Sequence, residues 1–109
     1  MKNRSTKVLF PVFKDYEVRV IFSRDLVKTG RRLKEDLADC EAAFVTHDDA
    51  PGYGWLVFPC IPPPGLISHE ASHAIEALFA FAGAARDEES FAYHLEYLVG
   101  RIHKFLDRA

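Results

Sequence analysis

One residue pattern in this chain has a recognisable chemistry, the sequence HEASH from His69 to His73. On a helix, His69 and His73 are one turn apart and project from the same face, so both imidazoles can reach a single metal ion. Glu70 lies about 100° around the helix from His69, where its carboxylate can take a proton from a zinc-activated water without ligating the metal. The HExxH pattern therefore predicts a zinc site with Glu70 as general base. The alternative is a helix start whose two histidines are ordinary polar residues.

A third zinc ligand is expected at the start of the next helix, because a catalytic zinc generally has three protein ligands and one water molecule. Glu88 and Glu89 are the candidates, and the short connection after Gly83 makes the two helices neighbours. Glu88 lies about 40° from the centre of the apolar stripe of the last helix and Glu89 about 140°, which favours Glu88 if the stripe faces the motif. A helix dipole alone also favours acids in this first turn.

The HExxH pattern followed by the sequence DEESFAY resembles the gluzincins, metallopeptidases with HExxH on one helix and a glutamate ligand on the next. It is similar, more closely, to very small phage and prophage proteins with HExxH and a DEExxAY stretch, over about residues 66–102. In gluzincins the ligand glutamate precedes a small residue by three positions, as Glu89 precedes Ala92. The resemblance implies that His69, His73 and Glu89 bind zinc and that Glu70 is the base.

The resemblance also raises two further expectations. Tyr93 replaces the Asp or Asn that usually orients a ligand histidine in gluzincins. Its hydroxyl could instead donate to a ligand or to the oxyanion of the transition state, and simple packing is the alternative. In the similar zinc peptidases, an edge strand upstream of the motif pairs with the extended substrate, a role that would fall to Gly54–Cys60 here.

The elements that position these residues follow the order β-β-α-β-β-α-α. Apolar runs and period-2 alternation predict four strands, at Val8–Phe13, Tyr16–Phe22, Cys40–Thr46 and Gly54–Cys60. Period-3.6 patterns and caps predict helices over about 24–38, over Leu66–Ala82 and over about 88–107. We therefore expect one α+β domain over residues 1–109, with a small antiparallel sheet. Residues 6–60 form the sheet and one helix, and residues 66–107 form a two-helix metal-site region.

Composition limits the setting and the partners. The chain has 109 residues, of which 14 are Lys or Arg and 16 are Asp or Glu, and a net charge of −2. Near-neutral charge gives no reason to expect a nucleic acid partner, and no apolar stretch approaches the roughly 20 residues of a membrane span. No signal peptide is recognisable, so we expect the protein in the host cytoplasm or in a virion.

The remaining histidines and cysteines have ordinary interpretations. Cys40 and Cys60 are symmetric about residue 50, so a hairpin centred there would allow a cross-strand disulfide, although buried strand thiols are expected in a reducing cell. His47, His94 and His103 are expected at the surface, with His47 the one that could approach the site from the sheet.

The motif predicts a zinc-dependent hydrolase, and the resemblance implies a metallopeptidase of phage or prophage type that attacks a peptide or amide bond in a peptide or protein substrate. One alternative is a catalytically inactive, zinc-stabilised phage structural or assembly protein. Another is a metal-free module that binds a host or virion protein through the hairpin bearing Trp55 and Phe58, or through the last helix.

Overall fold

A computed structural model describes residues 3–85 and 87–108 of the chain, and their fold is α+β. The elements are, in chain order, β1 (Arg4–Leu9), β2 (Glu17–Ser23), α1 (Leu26–Arg32), β3 (Ala43–Val45), β4 (Tyr53–Pro59), α2 (Leu66–Ala82) and α3 (Glu88–Leu106). The four strands form one sheet in the order β1-β2-β4-β3. The first strand begins and ends four residues earlier than the sequence predicts, because Pro11 offers no backbone N–H for a ladder.

The sheet is mixed, so the prediction of an antiparallel sheet is wrong. The pairs β1–β2 and β3–β4 are antiparallel, but β2 and β4 are parallel, in a register that runs from Glu17 opposite Tyr53 to Ser23 opposite Pro59. After β2 the chain passes through α1 and forms β3 at the far edge of the sheet. It then reverses to insert β4 beside β2. These two reversals leave β4 running in the same direction as β2.

The sequence of β4 explains why this strand occupies the centre of the sheet. Leu56, Val57 and Phe58 are all fully buried, so the strand is apolar on both faces, as central strands that pair with a parallel neighbour are. Gly54 lies in the same strand, and a Cβ there would stand 2.6 Å from the Phe44 ring of the neighbouring β3. Glycine at this position therefore lets β3 and β4 pack closely.

The core lies between one face of the sheet and the two C-terminal helices. The inward side chains alternate along each strand, as period-2 pairing requires. They meet the apolar faces of α2 and α3. The buried residues of this core include Val8, Val18, Val20, Phe22, Leu56 and Phe58 of the sheet and Ile67, Ala71, Ala74, Ile75, Leu78, Leu98 and Ile102 of the helices.

Helix α1 is shorter than the helix predicted over about 24–38. Ser23 is the N-cap that the sequence predicts, but the N-cap is Asp25, whose carboxylate accepts from the Lys28 backbone N–H at 3.1 Å. Ser23 is the last residue of β2 and is buried. The chain reverses soon after Arg32 and returns to Gly30, where a Cβ would stand 2.8 Å from both the Glu35 carbonyl oxygen and the Leu37 side chain. Gly30 thus ends the helix indirectly, because only a glycine leaves room for the returning segment.

The helices α2 and α3 form an antiparallel hairpin. Gly83 has φ 64° and caps α2 in the left-handed conformation, which suits glycine. Asp87 caps α3, and its carboxylate accepts from the Glu89 backbone N–H at 3.0 Å. The rings of Phe79 and Phe91 lie 5.9 Å apart and fix the register of the two helices. Across residues 3–85 and 87–108, every helix is too short or too polar to cross a membrane.

Candidate metal centre on helix α2

The histidine pair lies on the solvent side of α2. Ala71, Ala74 and Leu78 are fully buried on the side of the helix that faces the core, whereas His69 and His73 are exposed. Their rings are 5.1 Å apart between centroids and nearly perpendicular, at 82°. The structure therefore brings the two imidazoles together on one face, one turn apart.

The separation of the two rings fits a shared metal ion. Zinc binds an imidazole nitrogen at about 2.1 Å, so two imidazoles on one tetrahedral ion have ring centres about 5 Å apart. The 5.1 Å between His69 and His73 matches this value. Both side chains are exposed, so a hydrated ion can reach them from solvent without any movement of the core.

Glu70 lies at the border between the exposed and buried faces of α2 and is half-buried. Its position about 100° from His69 directs it away from the line of the two imidazoles. A carboxylate in this position can contact a water beside the ion more easily than it can join the histidines as a ligand.

The structure does not bring Glu88 or Glu89 to the histidine pair. Both are exposed at the loop end of the hairpin. Phe79 and Phe91 are level with each other, and a rise of 1.5 Å per residue places His73 about 9 Å from this level in one direction and Glu89 about 3 Å in the other. Across residues 3–85 and 87–108, no three His, Cys, Asp or Glu side chains form a group able to hold a metal ion.

Tyr93 lies on the exposed surface of α3, with 56 % of its surface accessible. Its ring packs edge-on against the ring of His94, 5.3 Å away between centroids. A tyrosine at this position presents its hydroxyl to solvent, so the catalytic role of Tyr93 stays a prediction.

The strand β4 is an interior strand of the sheet. It pairs with β2 along Tyr53–Pro59 on one side, and its residues 55–57 pair with β3 on the other. The expectation that Gly54–Cys60 acts as a substrate-binding edge strand is therefore wrong. The reason is topological, because the return from β3 inserts β4 between two neighbours.

His47 and Cys40 also differ from expectation. His47 packs its ring 5.2 Å from that of Trp55, which points away from the core, so His47 lies on the side of the sheet opposite α2. It does not approach the histidine pair. Cys40 is exposed and precedes β3, so it is not a buried strand thiol.

His94 is buried, which corrects the expectation of a surface histidine. Only 4 % of it is exposed, and its ring lies 5.1 Å from that of Phe13 and 5.6 Å from that of Phe79. Its Nδ1 donates to the Ser90 carbonyl oxygen at 2.7 Å, and Nε2 has no hydrogen-bond partner among the described residues. The signal was present in the sequence, because His94 falls beside the apolar stripe of α3 through Phe91 and Leu98.

Tyr16 is a second buried polar residue that the sequence did not single out. It is 1 % exposed, and its hydroxyl has no hydrogen-bond partner among the described residues. Burial raises the pKa of Tyr16 to about 12, since the phenolate is disfavoured away from water. Its ring lies 6.4 Å from that of Phe10, which also neighbours His94. The Tyr16 hydroxyl and the His94 Nε2, both without a hydrogen-bond partner among the described residues, therefore border one aromatic cluster in the core.

Comparison with protein families, with curated proteins and with solved structures finds no match for this chain.

Proposed function

We propose that the protein binds a zinc ion through His69 and His73 and uses Glu70 to hydrolyse a peptide or amide bond. The observation that carries the proposal is the exposed histidine pair on α2, with ring centroids 5.1 Å apart. The sequence adds Glu70 in the position that HExxH hydrolases use for their base.

In this mechanism His69 and His73 hold and orient the ion at the surface of α2. Zinc, when bound, would polarise the substrate carbonyl and make water acidic enough to react near neutral pH. Glu70 would accept the proton of the attacking water and pass it to the leaving amine. Glu89 is the third ligand that the sequence resemblance implies, although it lies at the loop end of the hairpin, away from His73.

Zinc binding without catalysis is a second candidate, in a phage-type structural or host-interaction protein. The exposure of both imidazoles favours it, because hydrolytic sites exclude bulk water from around the ion and an open helix face does not. The two candidates share the histidine pair and differ in whether Glu70 takes part in a reaction.

The test measures zinc content by mass spectrometry on protein purified without an affinity tag. We expect about one zinc per wild-type chain, none in His73→Ala, and wild-type content in His103→Ala, which removes an exposed histidine of α3. A folded wild type that takes up no zinc, even from added zinc, would contradict the proposal.

The catalytic half is tested with Glu70→Gln in a peptide-hydrolysis screen. We expect Glu70→Gln to retain zinc and to lose any hydrolysis that the wild type shows, by about a hundredfold or more. Equal hydrolysis by both proteins, or none by either in a zinc-loaded state, favours zinc binding without catalysis. Glu89→Gln should weaken zinc binding if Glu89 is the third ligand.

A further inference from the structure

The sheet has a second face that α2 and α3 do not cover, which we call the outer face. Strand register places Lys7, Arg19, Trp55 and Val45 in one row across this face, in the order β1-β2-β4-β3. Neighbouring strands lie about 4.8 Å apart, so both cations are within about 10 Å of the tryptophan. Because Leu56 and Phe58 point to the core, the alternation of β4 directs Trp55 to the outer face.

Aromatic rings cluster at this row. Trp55 is half-buried and Tyr53 is 44 % exposed, and their rings are 6.3 Å apart and inclined by only 30°. The ring of His47 lies 5.2 Å from that of Trp55 on the same face. The face of a sheet that contacts water usually presents polar side chains, whereas this one presents two stacked rings.

A cationic groove begins beside these rings. Lys7, Arg19 and Trp55 line a cavity of about 380 Å³ together with Ser5. A second cavity continues from Ser5 to Arg32 of α1, and a third, of about 560 Å³, is lined by Arg24, Lys28 and Arg32. Arg4 also lines the second cavity, but its guanidinium donates to the Phe105 and Leu106 carbonyl oxygens of α3. These cavities share lining residues, so five further cations follow one path from Trp55 to α1.

Two acidic side chains beside this path accept hydrogen bonds from neighbouring residues. Glu17 accepts from Arg19 Nε at 2.7 Å, and the Asp25 carboxylate caps α1 by accepting from the Lys28 backbone N–H. These two carboxylates are fewer than the five cations, so the path keeps an excess of positive charge.

The near-neutral total hides a strong separation of charge along the sequence. Residues 1–34 contain ten of the fourteen Lys and Arg residues and three of the sixteen Asp and Glu residues. Residues 35–100 contain twelve of the acids and a single arginine. Since β1, β2 and α1 all belong to the basic part, the fold places positive charge on one region of the surface.

We propose that the outer face binds single-stranded nucleic acid, with bases stacked on Trp55 and Tyr53 and phosphates along the path from Lys7 and Arg19 to Arg32. Stacking on aromatic side chains tolerates any base, and a basic groove follows the sugar-phosphate backbone. This site lies on the opposite side of the sheet from His69 and His73, so it is independent of zinc. The expectation of no nucleic acid partner rested on the near-neutral net charge and on the acids that neighbour the cations of α1, and the separation of charge across the fold argues against it.

Trp55 supplies the probe, because it is the single tryptophan of the chain. We expect twelve-residue oligonucleotides of deoxythymidine or uridine to quench its fluorescence on titration at about 50 mM salt, and a labelled oligonucleotide to gain anisotropy. A duplex of the same length should bind at least about tenfold more weakly, since its bases cannot stack on the rings.

The variant Lys7→Gln/Arg32→Gln should lower affinity about tenfold or more and reduce the slope of log K against log salt by about 1.4, the value for two phosphate contacts on a single strand. The matched control Lys14→Gln/Lys104→Gln removes the same charge from two other exposed positions and should change affinity less than about twofold. Tyr53→Leu should weaken binding with little change in the salt slope, because it removes stacking and no charge.

Three outcomes would overturn the proposal. The first is equal loss of affinity in both double variants, which would indicate diffuse charge attraction. The second is equal or tighter binding of the duplex. The third is no response to oligonucleotides, with Trp55 fluorescence responding instead to anionic lipid vesicles or to an increase in protein concentration, which would assign the face to a membrane or to a second copy of the chain. Melting temperatures of all variants should stay close to that of the wild type, because each substituted residue is exposed.

Discussion

Helix α2 has one face buried in the core and one face exposed to solvent. One face presents Ala74, Ile75 and Leu78, all fully buried against the sheet, and the other presents His69 and His73 to solvent. Residues of the first face determine whether the chain folds, and residues of the second contribute almost nothing to the core. The two histidines are therefore free to change without loss of stability, which makes their chemistry, and not their packing, the reason to test them.

The largest effect is expected from the buried face. Ile75→Ala should lower the free energy of unfolding by about 2–5 kcal/mol, because it leaves a cavity between α2 and the sheet. Urea denaturation in the presence of a chelator measures this. His73→Ala is the matched change on the exposed face and should cost less than about 0.5 kcal/mol under the same conditions. Equal losses of unfolding free energy in the two variants would contradict the assignment of Ile75 to the buried face and His73 to the exposed face.

Helix α3 offers the same comparison with histidine on both faces, because His94 is buried and His103 is exposed. His94→Ala should cost about 2–4 kcal/mol, because this ring packs among Phe13, Phe79 and other aromatic side chains. His103→Ala, on the exposed side of the same helix, should cost less than about 0.5 kcal/mol. Thermal melts of the two variants give the difference, and a large effect of His103→Ala would contradict the assignment of α3 faces.

A pH titration tests the core independently of any mutation that creates a cavity. In the unfolded chain the Tyr16 phenol ionises near pH 10, whereas burial raises its pKa to about 12 in the native state. The native state therefore binds more protons in this window, so stability falls as pH rises from about 10 to 12, by on the order of 2 kcal/mol.

The control for that titration is Tyr16→Phe. It should remove this part of the alkaline loss, and it should be at least as stable as the wild type at pH 7, since the hydroxyl has no hydrogen-bond partner among the described residues. An identical alkaline profile in the two proteins would mean that Tyr16 is not buried.

The smallest effect is expected within the motif itself. The Ser72 hydroxyl donates to the His69 carbonyl oxygen at 2.6 Å on the exposed side of α2. Ser72→Ala loses this bond but gains helix propensity, so stability should change by less than about 0.5 kcal/mol. Zinc uptake should be unchanged, as measured beside His73→Ala. A loss of zinc in Ser72→Ala would show that the backbone at His69 is part of the site.

Features that depend on residues close together in the chain were predictable from the sequence. The apolar segment that ends at Gly83 predicts the bounds of α2, and Asp87 predicts the start of α3, because caps and period-3.6 patterns act over a few residues. The symmetry about residue 50 predicts the register of the β3–β4 hairpin, in which Ala43 stands opposite Val57. Each of these features depends on neighbours in the chain.

Features that depend on distant segments were not predictable. Gly30 weakens a helix in isolation, and only the folded chain shows that Glu35 and Leu37 return to it. The level of Glu89 relative to His73 depends on the register of α2 against α3, which the contact between the Phe79 and Phe91 rings shows only in the folded chain.

The sequence by itself determined the bounds of α2 and α3, the residues that cap them at Gly83 and Asp87, and the HExxH pattern, because backbone propensity and side-chain periodicity are local properties. Only the tertiary structure decided the parallel pairing of β2 with β4, the burial of His94 and the place of the cations around Trp55. These depend on which segments exclude water from one another across the fold, and a strand with two apolar faces such as β4 is equally compatible, by its own sequence, with several partners.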